Sequence, residues 1–180
     1  MFYKRVNDRT ELRSLQLTDA EELFMLTDAN RDYLRVWLPW LDRINAVADT
    51  KGFIEHILES NANNHGLTAA IWYEERIVGL VGYNHRIDNQ NRIGYIGYWL
   101  AENYQGKGIM TNSCKAIIDY GFTTLNLNRI VIVCATENRA SRAIPERLGF
   151  IHEGNAREAE WLYDLFVNHE VYALLYRDWQ

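Results

Sequence analysis

The chain has 180 residues, of which 48% are hydrophobic, 13% aromatic and 24% charged, with only two prolines. That length supports one sizeable hydrophobic core, and no polar or Gly/Ser-rich tract is present to act as a linker, so residues 1–180 are expected to fold as a single domain. A formal net charge of −5 argues against bulk nucleic-acid binding, which needs a basic face, and suits a cationic or amine substrate.

The N-terminus carries no apolar leader core, and no run approaches the roughly 18 apolar residues of a membrane span, so a cytoplasmic location without membrane contact is expected. Glu11 to Leu17 alternates in the manner of a strand, and residues 18–38 follow with an apolar period near 3.6, Thr18 serving as N-cap. The segment VWLPWL, Val36 to Leu41, interrupts that helix. Residues 48–64 form a further helix with Phe53, Ile54, Ile57 and Leu58 on one side and the polar NANNHG run as its stop. Residues 67–87 read as a hairpin turning at Glu74 to Arg76, and NRIGYIGYWL as the next strand.

After that strand comes NYQGKGIMTN, and then a helix over residues 111–125 with Cys114, Ile117, Ile118 and Phe122 on one stripe. RIVIVCAT, Arg129 to Thr136, is β-branched in the way of a buried central strand. Residues 138–150 return to helix and stop at Gly149, a C′ glycine, and residues 158–179 close the chain with two more strands. The pattern predicts an α/β (α+β) fold with a mixed, mainly antiparallel sheet of about seven strands flanked by helices.

Gly106, Lys107 and Gly108 therefore sit between a strand and a helix. A glycine turn there gathers unpaired backbone N–H groups at the positive end of a helix dipole, without Cβ atoms to keep an anion away, and Lys107 could add a charge. A plain glycine turn is the alternative. Neither a Walker loop nor a dinucleotide fingerprint is spelled. Cys114 and Cys134 lack neighbouring histidines, and His56, His65, His85, His152 and His169 are scattered, so no metal site is assigned.

The block IGYWLAENYQGKGIMT resembles the acyl-CoA pyrophosphate loop of the GNAT superfamily of N-acetyltransferases, [QR]xxGx[GA]: Gln105 and Gly108 match, and Met110 stands where the pattern has Gly or Ala. Residues 138–150 are similar to the NxxSxxxxxxxGF signature of the RimJ/RimL branch, the ribosomal-protein N-terminal acetyltransferases, and WLPW and AEWL extend the likeness over nearly the whole chain. The resemblance implies a GNAT fold whose central strands 4 and 5, Tyr95 to Leu100 and Arg129 to Thr136, splay apart to admit acetyl-CoA. It implies an oxyanion donor at the backbone N–H near Leu100. It assigns pyrophosphate binding to the amides of Gln105, Gly106, Lys107, Gly108 and Met110 with Thr111, and the pantetheine arm to Asn138. It also implies a protein N-terminus as amine acceptor, and a homodimer, for which the apolar strand VYALLY could pair or cover an edge.

Amine attack on a thioester needs an oxyanion donor, a base and an acid. Ser141, three residues after Asn138 on the same helix face, matches the position that points at the CoA sulfur, where a positioned donor suffices in a dry site. Glu160 matches the branch's acidic position on the sixth strand, with Trp161 and Leu162 expected to desolvate it; a solvated strand glutamate is the alternative, and Glu158 lies two positions away. Cys134 is either a covalent acetyl acceptor or a buried small hydrophobe, and direct transfer is favoured. Tyr33, Trp37, Trp40 and Phe53 belong either to the acceptor entrance or to the core. A small-amine acetyltransferase and a non-catalytic acyl-CoA-binding module are the competing functions.

Overall fold

A computed structural model describes residues 2–63, 66–83 and 87–179. Asn64 and His65 of the polar helix stop, and residues 84–86 of the hairpin run, lie outside the described residues. In chain order the elements are β1 (Tyr3–Arg5), β2 (Thr10–Ser14), α1 (Ala20–Ala29), α2 (Arg31–Leu34), α3 (Val47–Ala62), β3 (Thr68–Tyr73), β4 (Arg76–Gly82), β5 (Ile87–Asp88) and β6 (Ile93–Leu100). They continue with α4 (Ile109–Thr123), β7 (Arg129–Ala135), α5 (Arg139–Arg147), β8 (Ile151–Leu162) and β9 (Leu165–Leu175).

The sheet runs β1-β2-β3-β4-β6-β7-β9-β8, with β5 added on β6. Every pairing is antiparallel except β6 with β7. Nine strands replace the expected seven because β1 and the two-residue β5 are too short to leave a periodic signal in the sequence. The VYALLY segment is not an edge: Val171 to Leu175 lie in β9, between β7 and β8, and β8 forms the border. The β3–β4 turn falls at Glu74 and Glu75, both at positive φ (49° and 62°), as a tight two-residue hairpin requires.

Helices cover both faces. On one, Ile109, Cys114, Ile117, Ile118 and Phe122 of α4 and Ile144 of α5 pack against Ile96, Ile130 and Ile132. On the other, Ala20 and Leu23 of α1 and Ile54 and Ile57 of α3 pack against Ala70, Ile77 and Leu80. The α1 entry is not capped by Thr18: the Asp19 carboxylate accepts from the Gln16 N–H at 2.8 Å, and a short 3-10 turn, Leu17–Asp19, leads into the helix.

The feature that positions the site lies at the sheet's centre. β6 and β7 pair only from Ile93↔Arg129 to Ile96↔Ile132. Past that point β6 keeps its bonds to β4 and β7 its bonds to β9, so the two strands part company and leave a wedge between them.

Candidate active site

The wedge opens into a cavity of about 720 Å³. Its walls are Tyr98, Trp99 and Leu100 of β6, the loop and first turn of α4, the start of α5 and the α2 segment. The N–H of Ala101 bonds the Val78 carbonyl at 2.9 Å; by the alternation of an extended strand, the N–H of Leu100 points the other way, into the wedge.

Beyond Leu100 the chain makes the glycine turn. Gly106 and Gly108 take φ of 71° and 73°, the left-handed region that glycine enters without a Cβ penalty. A Cβ on Gly106 would meet nothing within 4 Å, so the space beside the loop is open. Gly108 is the N-cap of the 15-residue α4. Among the described residues, the backbone N–H groups from Gly106 to Thr111 have no protein partner, and together with the positive end of α4 they form a cradle for an anion the size of a phosphate.

Leu100, Gln105, Gly106, Gly108, Met110, Thr111, Asn138 and Ser141 all line this one cavity. Two details of the expectation change. The Gln105 N–H is already spent on the Glu102 carbonyl at 3.1 Å, and its side-chain amide donates to the Tyr33 hydroxyl, so Gln105 braces the loop against α2 instead of offering its amide. Lys107 does not line the cavity: its Nζ lies 5.0 Å from the Tyr104 ring centroid and 6.0 Å from that of Tyr73, where a cation is held by aromatic faces. Met110 is 8% exposed and packs into the main core, so its bulk does not cover the loop.

Asn138 caps α5 by accepting the Ser141 N–H at 3.2 Å. Ser141 Oγ lies 3.3 Å from the Tyr98 hydroxyl, and Tyr98 donates to the Ser141 carbonyl at 2.8 Å. Burial holds the Tyr98 hydroxyl well above its usual pKa, and burial likewise pushes the Cys134 thiol up to about 11 despite its hydrogen bond with Ser141. Cys134 is therefore a protonated, buried thiol near neutral pH.

Glu160 does not line the cavity. It sits on β8, its side chain 36% exposed, with Oε2 2.9 Å from Nε2 of His169 on β9. Trp161 does not desolvate it: that ring is 55% exposed and packs edge-on against Phe166. Glu158 lies within the register shift between Ala156 and Glu160 and takes φ 50°, its N–H bonded to the Asn168 side chain. Of the four aromatics, Tyr33 and Trp37 line the cavity, whereas Trp40 stacks on Phe53 away from it.

These features match known acetyltransferases. The acetyltransferase (GNAT) domain family matches residues 9–151. The chain belongs to the GNAT family. Among GNAT proteins it is 36% identical to "Putative ribosomal N-acetyltransferase YdaF" of Bacillus subtilis (strain 168), over 100% of this chain and 98% of that one. Two solved GNAT structures superpose closely. The microcin C7 self-immunity acetyltransferase MccE, in complex with acetyl-CoA and AMP, has a TM-score of 0.90 at 36% identity, covering 94% of each chain. RimL, the ribosomal L7/L12 alpha-N-protein acetyltransferase in complex with coenzyme A, has a TM-score of 0.93 at 27% identity, covering 97% of this chain and 98% of that one. The protein is an acetyl-CoA-dependent N-acetyltransferase of the GNAT type.

Three contributors were not singled out from the GNAT motifs. Tyr98 is in hydrogen-bond contact with Ser141 across 43 positions of sequence, although its place two residues before Leu100 puts it on the same strand face. Arg147, at the end of α5, lines the cavity and donates to Thr111 Oγ1 at 3.4 Å, beside the amide cradle. Tyr163, at the β8–β9 turn, donates to the Arg35 carbonyl while the Arg35 guanidinium lies 4.9 Å from its ring centroid, which ties that hairpin to the α2 wall.

Proposed function

We propose that the protein transfers acetyl from acetyl-CoA to the α-amino group of a protein N-terminus in the cytoplasm, a ribosomal protein being the first candidate. The observation that carries this reading is the combination of the amide cradle with Ser141 in one cavity, on a chain similar from end to end to proteins named as ribosomal-protein acetyltransferases. The net charge of −5 favours a basic partner.

In this reading the amides from Gly106 to Thr111 take the pyrophosphate and Asn138 the pantetheine arm. The amine nitrogen attacks the thioester carbonyl; the Leu100 N–H donates to the oxygen as it gains charge. The C–N bond forms, the C–S bond breaks, and the sulfur leaves with the electron pair, stabilised by a hydrogen bond from Ser141 Oγ. Glu160, on β8 outside the cavity lining and steadied by His169, takes the surplus proton of the attacking nitrogen through a water. The buried, protonated Cys134 plays no part.

Thiol release from acetyl-CoA is the test, with N-terminal peptides beginning Ser, Ala or Met, spermidine, an aminoglycoside and free amino acids as acceptors. Selective turnover on a peptide α-amine is expected. The neighbour MccE, solved with AMP, favours one competing reading, a small-molecule amine, and turnover confined to small amines would replace the N-terminal reading with it. Saturable CoA binding without thiol release from any acceptor would overturn both.

A further inference from the structure

Among the described residues that line the cavity, Arg147 alone carries a charge. It shares one face of α5 with Ser141 and Ile144, whereas Arg142 and Glu146 turn to the Tyr172 hydroxyl, at 3.2 and 3.0 Å. Among the described residues the Arg147 guanidinium forms no ion pair, and its hydrogen bond to the protein, Nη1 to Thr111 Oγ1, is long at 3.4 Å. A guanidinium carries five N–H donors and keeps its charge, so most of its donors face solvent or a ligand. Thr111 spends a lone pair on that bond, which leaves its hydroxyl proton free to donate. The loop's own cation does not take this place, since Lys107 Nζ is held at the Tyr104 and Tyr73 rings.

We infer that Arg147 is the cation of the pyrophosphate site: its guanidinium forks onto phosphate oxygens at the Thr111 end of the amide cradle, and the Thr111 hydroxyl donates beside it. This rests on the reading of the amides from Gly106 to Thr111 as the pyrophosphate cradle, and it holds whichever amine is the acceptor. CoA is a polyanion and the protein has a formal net charge of −5, so without Arg147 the partial charges of the amides alone would hold the phosphates against that background. A full positive charge in a wall free of carboxylates among its described residues makes up the deficit. Arginine suits the place because two parallel N–H groups match two oxygens of one phosphate. Little is given up in the move: the guanidinium trades a long contact with a hydroxyl for short, charge-assisted bonds.

Calorimetric titration of the full chain with CoA, dephospho-CoA and pantetheine is the test. Dephospho-CoA keeps the pyrophosphate and lacks the ribose phosphate; pantetheine lacks both. Arg147→Gln should raise the Kd for CoA and for dephospho-CoA by the same factor, roughly tenfold, and leave the Kd for pantetheine at the wild-type value. The Kd for CoA should also depend less on salt in the variant than in wild type, because a screened charge contact has gone. Arg147→Lys, which keeps the charge without the fork, should recover part of the loss. Lys107→Gln should cost less CoA affinity than Arg147→Gln, its ammonium being held at the rings. In turnover the Arg147→Gln loss should appear in the KM for acetyl-CoA.

An equal loss for pantetheine would make Arg147 a structural residue at the end of α5 and overturn the inference. A loss for CoA that dephospho-CoA does not share would put the guanidinium on the ribose phosphate, and an unchanged Kd for all three ligands would leave Arg147 as a charge at a helix end; either result overturns it. A larger loss in Lys107→Gln than in Arg147→Gln would return the role to the loop lysine. Failure of the cradle reading shows in a different measurement: wild-type protein would then bind pantetheine as tightly as CoA, and the inference would fall with the cradle.

Discussion

Replacing Gly108 by alanine tests the anion cradle through backbone conformation alone. Gly108 sits at φ 73°, ψ 0°, and a Cβ there would meet only the flexible Asn112 amide, at 3.7 Å. The substitution therefore brings no steric clash, and its cost is that of an L-residue in the left-handed region, about 1–2 kcal/mol. Where that cost appears depends on the empty loop. If the loop holds its shape without ligand, folding stability falls by that amount and CoA affinity is unchanged. If the empty loop relaxes, CoA must restore the strained shape, and its Kd rises by roughly 5- to 30-fold. The two losses, measured by urea unfolding and by calorimetric titration with CoA, should sum to about 1–2 kcal/mol. Pantetheine, which lacks the pyrophosphate, should bind the variant as it binds the wild type. Unchanged stability together with unchanged CoA affinity would refute the assignment of the strained turn, and an equal loss for pantetheine would refute its link to the pyrophosphate.

Three further outcomes are expected. Ser141→Ala and Glu160→Gln should each lower kcat by roughly 10²–10⁴ while CoA titrations give a near wild-type Kd; unchanged turnover in Glu160→Gln would return that residue to a solvated strand position. Cys134→Ala should keep most of its turnover, because a thiol with a pKa of about 11 is only about one part in 10⁴ thiolate at neutral pH; a loss of several orders of magnitude would favour a covalent acetyl-cysteine. Glu170, buried on β9, is held below the usual carboxylate range by hydrogen bonds from Asn155 first and His152 second. Its folded pKa is depressed, so its stabilisation is complete above the unfolded value near 4.5 and is lost as pH falls through the lower folded value. Plots of Tm against pH for Glu170→Gln should be flatter than wild type in that acidic range, and parallel curves would show that the carboxylate does not contribute.

The parts of the site that were legible from sequence are those set by local backbone chemistry. Gly106 and Gly108 announce a turn because only glycine enters φ near 70° freely, and the apolar stripe of the following helix fixes what the turn leads into. The seven longer strands and the parting of the central pair followed from alternation, β-branched runs and the family resemblance. The Tyr98–Ser141 contact was not legible, since it joins two elements 43 residues apart. Nor was the full length of β8. It runs from Ile151, seven residues before its expected start, as a largely exposed border strand with register shifts at Gly154 and near Glu158, so no clean alternation marks it. Thr18 failed as a cap because it lies inside the 3-10 turn Leu17–Asp19, one residue before the α1 N-cap position at Asp19.

This division has a physical origin in how the two halves of the site are built. Cradle amides belong to the backbone, so most side chains in the loop are free to serve other ends: Lys107 goes to the Tyr104 and Tyr73 rings, Gln105 to the Tyr33 hydroxyl and Met110 to the core. Met110 can therefore depart from the family's small residue while its N–H stays unpaired beside those of Ile109 and Thr111. The proposed chemistry is the reverse case. Ser141 and Glu160 each meet a side chain from another element, Tyr98 for one and His169 for the other, and neither partner is implied by the residue it contacts. Substitutions in the loop should accordingly be tolerated wherever the glycine conformation survives, whereas those at Tyr98 or His169 should disturb turnover without disturbing the cradle.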